Sequence, residues 1–375
     1  MPGEIKAERF QIPEPQRPFP WGATVAVFLG IAIAGSAGYF GYQSIQQHDE
    51  QPFKKLKLSV GDFDQQQTKK LTPILREYAA DYCEPQSKMS LLRRLQAAGF
   101  LQLAADLAVA HYDTCAKNFS FLEIGSFYYK ELGAYSKALN IRNRLVDSDP
   151  ANPNYRFGRG KVYEGMERYD KALVDYISAL DLLGRPEQVA AQQFYEIATM
   201  YAALGRFCEA AIPLEMFVSF RVENRTPQFV RLINEYRSKG NCKQSARNEA
   251  TSVRFKKSGA ILLVEASLNN VAGVFVLDTG ASLVSVTKSF ANKANISFSS
   301  ENEIALQTAN GISTGLLATA DSIKVGNAYS TYVPVVVLDE RSLGSGDNVV
   351  GLLGMSFLSR FDLTVSDTVN LRPRY

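Results

Sequence analysis

Histidine is almost missing from this chain. His48 and His111 are the only two in 375 residues, and they lie in different segments. That argues against a zinc centre built on several histidines. A Ser-His-Asp hydrolase would have to use one of these two positions. A large excess of one charge is missing as well: the net charge of +3 is small for this length, which argues against a nucleic-acid binder driven by a positive field. Cysteine is limited to Cys83, Cys115, Cys208 and Cys242, with no C-x-x-C pair, so a redox motif or zinc ribbon has no support. Nothing in the pattern calls for a metal or an organic cofactor. What the chain does have is 46% apolar residues, enough for packed cores in two or three domains.

Residues 1–20 are polar and proline-rich. They are followed by "WGATVAVFLGIAIAGSAGYFGY" at 21–42, and no Asp, Glu, Lys or Arg occurs between Arg17 and Asp49. About 20 apolar residues cross a bilayer as a helix, so one span fits. Trp21, Tyr39 and Tyr42 stand near its ends, where interfacial aromatics are found. A buried helix and a cleaved signal peptide are the alternatives, and Ala32-Ile33-Ala34 resembles a cleavage site. The apolar run continues past Ala34 and the leading segment is long, which favours an uncleaved transmembrane anchor. Lys6, Arg9 and Arg17 precede the span and Lys54, Lys55 and Lys57 follow it, so the positive-inside rule leaves orientation open.

After a linker and leading helix at 43–86, residues 87–242 read as tandem helical hairpins. "GAYSKALNIRNRLVDSDP" at 133–150, "ERYDKALVDYISALDLLG" at 167–184 and "GRFCEAAIPLEMFVSF" at 205–220 align. An aromatic residue opens each second helix (Tyr135, Tyr169, Phe207), and a small alanine follows (Ala138, Ala172, Ala210). The aromatics are 34 and then 38 residues apart, and Phe100 extends the series back by 35. One unit therefore carries an insertion. A helix–turn–helix repeat near 34 residues reads as a solenoid, and this segment resembles tetratricopeptide repeats. Pro150 and Pro153 break the chain between units.

The cysteines fit this scheme. Cys83 and Cys115 bracket helices expected near 88–98 and 100–113; Cys208 and Cys242 bracket helices near 207–220 and 227–239. A two-helix hairpin starts and ends on the same side, so each pair can close. Each bridge would contribute roughly 3–4 kcal/mol by closing a loop of about 30 residues. Four buried free thiols are the other possibility. Disulfides point to an oxidising compartment, and with the anchor they suggest a bacterial inner-membrane protein with its soluble domains in the periplasm and residues 1–20 in the cytoplasm.

Residues 243–250 form a polar linker, and helical periodicity stops there. "AILLVEASLN", "VAGVFVLD", "LVSVTK", "EIALQTA", "GLLATADSIKV" and "YVPVVVLD" are β-rich runs separated by Asn269-Asn270, Asn310-Gly311 and Gly326-Asn327. Residues 251–375 are thus expected to be all-β, apart from a short helix after Gly354. Within them stands "FVLDTGASLVSVT" at 275–287. A plain β-turn would explain Asp-Thr-Gly alone. Its flanks, however, are apolar on both sides, which places a carboxylate where strands enter a core. "VVGLLGMSFLSRFD" lies near the end of the domain, and "LQTANGISTGLL" falls between the two, with Asn310-Gly311 marking a type I′ hairpin turn.

This combination over roughly 250–370 resembles the retropepsin-like aspartic proteases, particularly their bacterial branch. The resemblance implies a C-terminal acid-protease β fold behind the helical solenoid. Asp278 would be the catalytic residue that activates water, and Thr279 would brace the loop, supported by Gly280, Ala281, Ser282 and Gly354. Ala309, Asn310 and Gly311 would form the tip of a flap that closes over substrate. The chemistry uses two carboxylates about 3 Å apart sharing one proton. No second D-T-G or D-S-G occurs, and "ADSIKVG" at 320–326 lacks the glycine. A two-fold homodimer would bring two Asp278 side chains together. One departure stands out: retroviral enzymes place Arg after the late glycine, whereas Met355-Ser356 follow here. The expected function is a membrane-anchored periplasmic endopeptidase acting on a peptide or protein substrate, with the repeats free to hold substrate or a protein partner. The alternatives are an inactive envelope scaffold that dimerises through the β domain, and a ligand-binding β-barrel.

Overall fold

The computed structural model describes residues 50–375 except 81–82, 116, 244–248, 260, 309–310, 341–347 and 375. Among these, residues 50–63 and residues from Asp64 onward form two separate units. In the first, a short helix, α1, covers 50–55 and is followed by a 3-10 turn at Val60–Asp62. Among the described residues no helix is long and apolar enough to cross a membrane. The span expected at 21–42 lies outside those residues, as does His48.

The second unit begins with ten helices: α2 (Gln65–Ala80), α3 (Pro85–Ala97), α4 (Leu101–Thr114), α5 (Phe119–Glu131), α6 (Tyr135–Ser148), α7 (Pro153–Gly165), α8 (Tyr169–Leu182), α9 (Ala191–Ala203), α10 (Phe207–Phe220) and α11 (Pro227–Gly240). Their starts are written locally. Asn118, Asn152 and Thr226 accept hydrogen bonds from the first-turn amides of α5, α7 and α11, as N-caps do. Proline stands at the first turn of α3, α7 and α11, where its missing N–H costs nothing. The turns inside the hairpins take a left-handed residue at Gly99, Gly133, Glu167 and Gly205. The aromatic openers Tyr135, Tyr169 and Phe207 begin α6, α8 and α10, and Ala138, Ala172 and Ala210 are fully buried. Cys83–Cys115 and Cys208–Cys242 are disulfides, with Cα separations of 5.4 and 5.5 Å.

Eleven strands follow among the described residues: β1 (Thr251–Val253), β2 (Lys256–Ser258), β3 (Ile261–Leu268), β4 (Val271–Leu277), β5 (Val284–Thr287), β6 (Glu303–Thr308), β7 (Gly311–Val325), β8 (Ala328–Leu338), β9 (Val349–Leu353), β10 (Phe361–Val365) and β11 (Val369–Pro373). An eight-stranded sheet has the order β2-β3-β4-β9-β5-β8-β7-β6, and β3 also pairs with β7, so the sheet curls back on itself. β1, β11 and β10 form a second, antiparallel sheet. Two helices interrupt the strands. The one expected after Gly354 is α13 (Met355–Leu358), and α12 (Lys288–Lys293) was not foreseen. α12 arises because Thr287 caps its first turn at the end of β5, a cue hidden inside an apolar β-rich run.

The helices and strands of this unit share one core. Residues of α8, α9, α10 and α11 pack with Ile304, Leu306, Leu317, Val336 and Leu338 of the sheet. A second core lies inside the sheet around Phe275, Val286, Val335 and Phe357. The sequence reads 243–250 as a free linker, yet Lys243 exchanges hydrogen bonds with Thr331 of β8 at 3.1 Å. At the centre of the helix–sheet junction Glu215 of α10 is fully buried. Its Oε1 accepts from Arg237 of α11 at 2.7 Å, and its Oε2 accepts from Arg360, just past α13, at 2.8 Å. Burial by itself would raise the Glu215 carboxyl, but the two guanidinium groups outweigh it and hold the carboxyl below its ordinary range.

Two outcomes are expected. Removing one partner of a buried pair costs about 3–5 kcal/mol, so Glu215→Gln should lower unfolding stability by about that amount in urea titrations. Because the folded carboxyl lies below its unfolded value, the stabilisation is present above the unfolded carboxylate range. It is lost as pH falls through the folded value, and the Glu215→Gln protein should lack this acid loss. Reducing both disulfides should remove about 3–4 kcal/mol for each loop closed; calorimetry of the oxidised and reduced protein reads the difference.

Candidate active site

Asp278 stands one residue past β4. Strand β4 runs parallel to β9 with Leu277 opposite Leu353, and the Asp278 amide still donates to the Leu353 carbonyl at 3.1 Å. The ladder therefore fixes the backbone of the aspartate just before the chain turns. The carboxylate accepts the Gly280 amide at 2.9 Å, which holds the Asp-Thr-Gly turn closed on itself. Asp278 is partly exposed, and Thr279 and Gly280 are exposed. The desolvation expected for this aspartate is thus not reached within a single chain, because the loop opens outward instead of into the core.

The rest of the loop is fastened from below. Ala281 and Ser282 carbonyls accept the amides of Met355 and Ser356 at 2.8 and 3.0 Å. The buried Ser356 hydroxyl accepts the Val284 amide and donates to the Pro334 carbonyl, both at 2.9 Å. Gly354 lies directly against the loop: a Cβ there would stand 2.3 Å from the Leu283 carbonyl oxygen and 2.7 Å from that of Ala281. The late glycine is needed for this close approach. The sequence marks Ser356 only as part of the Met355-Ser356 pair that stands in place of the retroviral arginine; its side chain ties β5, β8 and α13 together.

The hairpin expected to be a flap is β6–β7, in register from Glu303 opposite Leu316 to Thr308 opposite Gly311. Thr308 closes it by donating to the Gly311 carbonyl at 2.7 Å, and Gly311 has φ +104°. Ala309 and Asn310 lie outside the described residues. β6 is the outer strand of the sheet, and α8 covers its edge. Ser178 accepts the Ala305 amide at 3.1 Å, Asp181 accepts the Gln307 amide at 2.8 Å, and Lys171 donates to the Glu301 carbonyl at 3.1 Å. Asp181 also lines the same cavity as Ser282, so one carboxylate of the helical repeats stands beside both β6 and the loop after Asp278. Burial pushes the Asp181 carboxyl above its ordinary range, and the Gln307 amide and Ser282 hydroxyl oppose that rise. Nothing in the local sequence marks Asp181, which reads as a polar position near a helix end. His111 is buried in the repeats, its ring 3.9 Å from that of Phe121, far in sequence from this loop.

Residues 264–360 match the family model described as "gag-polyprotein putative aspartyl protease". The match spans about a quarter of the chain. It takes in Asp278, the flap hairpin and Gly354, and gives the chain a retropepsin-like aspartic-protease domain at its C-terminal end. None of the curated proteins matches. Among solved structures, a retropepsin-like aspartic protease from Rickettsia conorii is 26% identical over 35% of this chain and 93% of its own, with a TM-score of 0.26. A tetratricopeptide repeat protein from Parabacteroides merdae is 19% identical over 53% of this chain and 74% of its own, with a TM-score of 0.36. MamA from Desulfovibrio magneticus is 15% identical over 48% of this chain and 97% of its own, with a TM-score of 0.35.

Adding one methyl at Gly354 tests the fastening. Gly354→Ala should destabilise the protein by about 1–3 kcal/mol through overpacking. It should also disorder the 279–283 loop, which amide hydrogen exchange at Gly280 and Val284 would report as faster exchange.

Proposed function

We propose that this chain is an aspartic endopeptidase in which Asp278 is the catalytic carboxylate. The observation that carries the reading is the Asp278-Thr279-Gly280 turn, held open to solvent by the Gly354 and Ser356 fastening inside a segment that matches an aspartyl-protease family. Within one chain this loop contributes a single D-T-G carboxylate. The reaction needs two, one ionised to take a proton from water and one protonated to polarise the scissile carbonyl. In this reading two copies meet at a two-fold axis and share one active site, with Thr279 at the contact. The terminal strand β11 already has β1 on one side and β10 on the other, so the pairing of copies runs through other surfaces than a free terminal strand. The 21–42 segment anchors the protein in the bacterial inner membrane, and the two disulfides suit soluble domains in the periplasm. The helical repeats remain available to a protein partner.

A scaffold reading draws on one observation: the outer edge of the flap strand is occupied by α8, as it would be in a module built for rigidity. Incubating the full chain with a diverse peptide pool from about pH 4 to about 7.5 separates the two. Asp278→Asn is expected to abolish cleavage while leaving thermal unfolding within about 0.5 kcal/mol of the parent protein, as a surface change would. Cleavage that persists in Asp278→Asn removes Asp278 from the catalytic role. A parent protein that cuts nothing supports the scaffold.

A further inference from the structure

Between the flap strand and the loop after Asp278 lies a cavity of about 140 Å³. One wall is expected for any protease of this kind: Ala281 and Leu283 from the loop, Leu306 from β6, and Val336 from β8. The opposite wall comes from the helical repeats, through Gly184 and Pro186 in the connection between α8 and α9. This connection is also where the repeat spacing departs from regularity. The aromatic openers of α6 and α8 are 34 residues apart, but those of α8 and α10 are 38 apart. α8 and α10 are each 14 residues long, as α6 is, and α9 matches α7 at 13. The extra length therefore falls in the connections, and residues 183–190 form a long one containing a 3-10 turn at Pro186–Gln188. Gly184 adopts φ +66°, and a Cβ placed there would lie 3.8 Å from the Gln307 side chain of the flap strand.

We infer that this insertion completes a substrate subsite: the helical repeats supply one wall of the pocket that receives an apolar substrate side chain beside the scissile bond. The inference rests on the protease reading above. The chemistry of the occupant follows from the lining. The charged group at the rim, Asp181, accepts the Gln307 amide at 2.8 Å and so ties the repeat wall to β6; Ser282, Ser285, Gln307 and Thr308 add the other polar atoms of the lining. The remaining surface is largely aliphatic. An apolar cavity of about 150 Å³ holds a benzene-sized molecule, so this one suits a single leucine-, isoleucine- or phenylalanine-sized side chain. Substrate cannot reach the pocket by adding a strand to β6, because Ser178 and Asp181 occupy that edge. It has to lie across the cleft between flap and loop. Asp181 is thus a positioning residue, and Pro186 is a specificity-determining one.

The test is a cleavage profile of the full chain on a peptide pool, for the parent protein and for Pro186→Trp, Pro186→Gly and Asp278→Asn. Pro186→Trp fills the pocket from the repeat side. It is expected to lower kcat/KM at least about tenfold for peptides with Leu, Ile or Phe at one position near the cut, with less than about a twofold change for Ala there. Pro186→Gly opens the same wall and is expected to admit larger side chains at that one position, which covers the case in which the tryptophan variant does not fold. An unchanged profile in the folded variants overturns the composite subsite and leaves the protease reading standing. A parent protein with no Asp278-dependent cleavage overturns both.

Discussion

A carboxylate with no access to water must find cationic partners, and Glu215 sets that requirement at the junction of helices and sheet. Its two oxygens are divided between Arg237, from the next helix of the repeats, and Arg360, from the strand domain. Neither domain can satisfy the group alone. Separating them would leave Glu215 with Arg237 alone on one side and strip the buried Arg360 of its carboxylate on the other. The apolar packing of α8 and α10 against β6 and β8 surrounds this cluster and excludes the water that would weaken it. The repeats are therefore part of the protease-like domain's interior, and residues from Asp64 onward behave as one unit.

The same junction answers a second constraint. The outer strand of a sheet presents unpaired amides that invite another chain. Here alternate amides of β6 are taken up by Ser178 and Asp181 on one face of α8. The three-residue spacing of those side chains brings both to the same side of the helix, matching the two-residue repeat of amides along one strand edge. The consequence for the site is direct. The outer edge of β6 is thus held by the repeats along the hairpin's base. The loop carrying Asp278 is fixed from the opposite side by Gly354 and Ser356. The Asp278 loop and the β6–β7 hairpin thus sit on two separately braced elements, with a cavity between them.

Much of this was legible before any coordinates. The 34-residue recurrence of Tyr135 and Tyr169 located the helix hairpins, because a repeat must bury the same face each time. The cysteine pairs followed from the return of each hairpin to its starting side. The turn at Asp278 was marked by its Asp-Thr-Gly residues between apolar runs, and the glycine beneath it by the resemblance those residues share with a known family. Other features were not legible. Ser356 stood out only as part of the Met355-Ser356 pair that follows the late glycine. α12 was hidden in a β-rich run. The insertion after α8 was visible only as four additional residues in a spacing, without any sign of what it touched.

The division has a physical cause. Patterns that repeat every two, three or four residues, or every 34, are imposed by the backbone geometry of strands, helices and stacked hairpins, so they survive in the sequence of each segment. The hydrogen bonds that join the repeats to the strands link residues 126 apart, for Asp181 and Gln307, and 145 apart, for Glu215 and Arg360. On its own helix each of these acids reads as an ordinary solvated side chain. Its burial and its partner exist only once the two halves pack. The sequence by itself thus determined most of the elements, the cysteine pairs and the position of the Asp278 turn. The tertiary structure alone decided that α8 would cover the edge of β6 and that the connection after it would line the cavity beside the Asp278 loop.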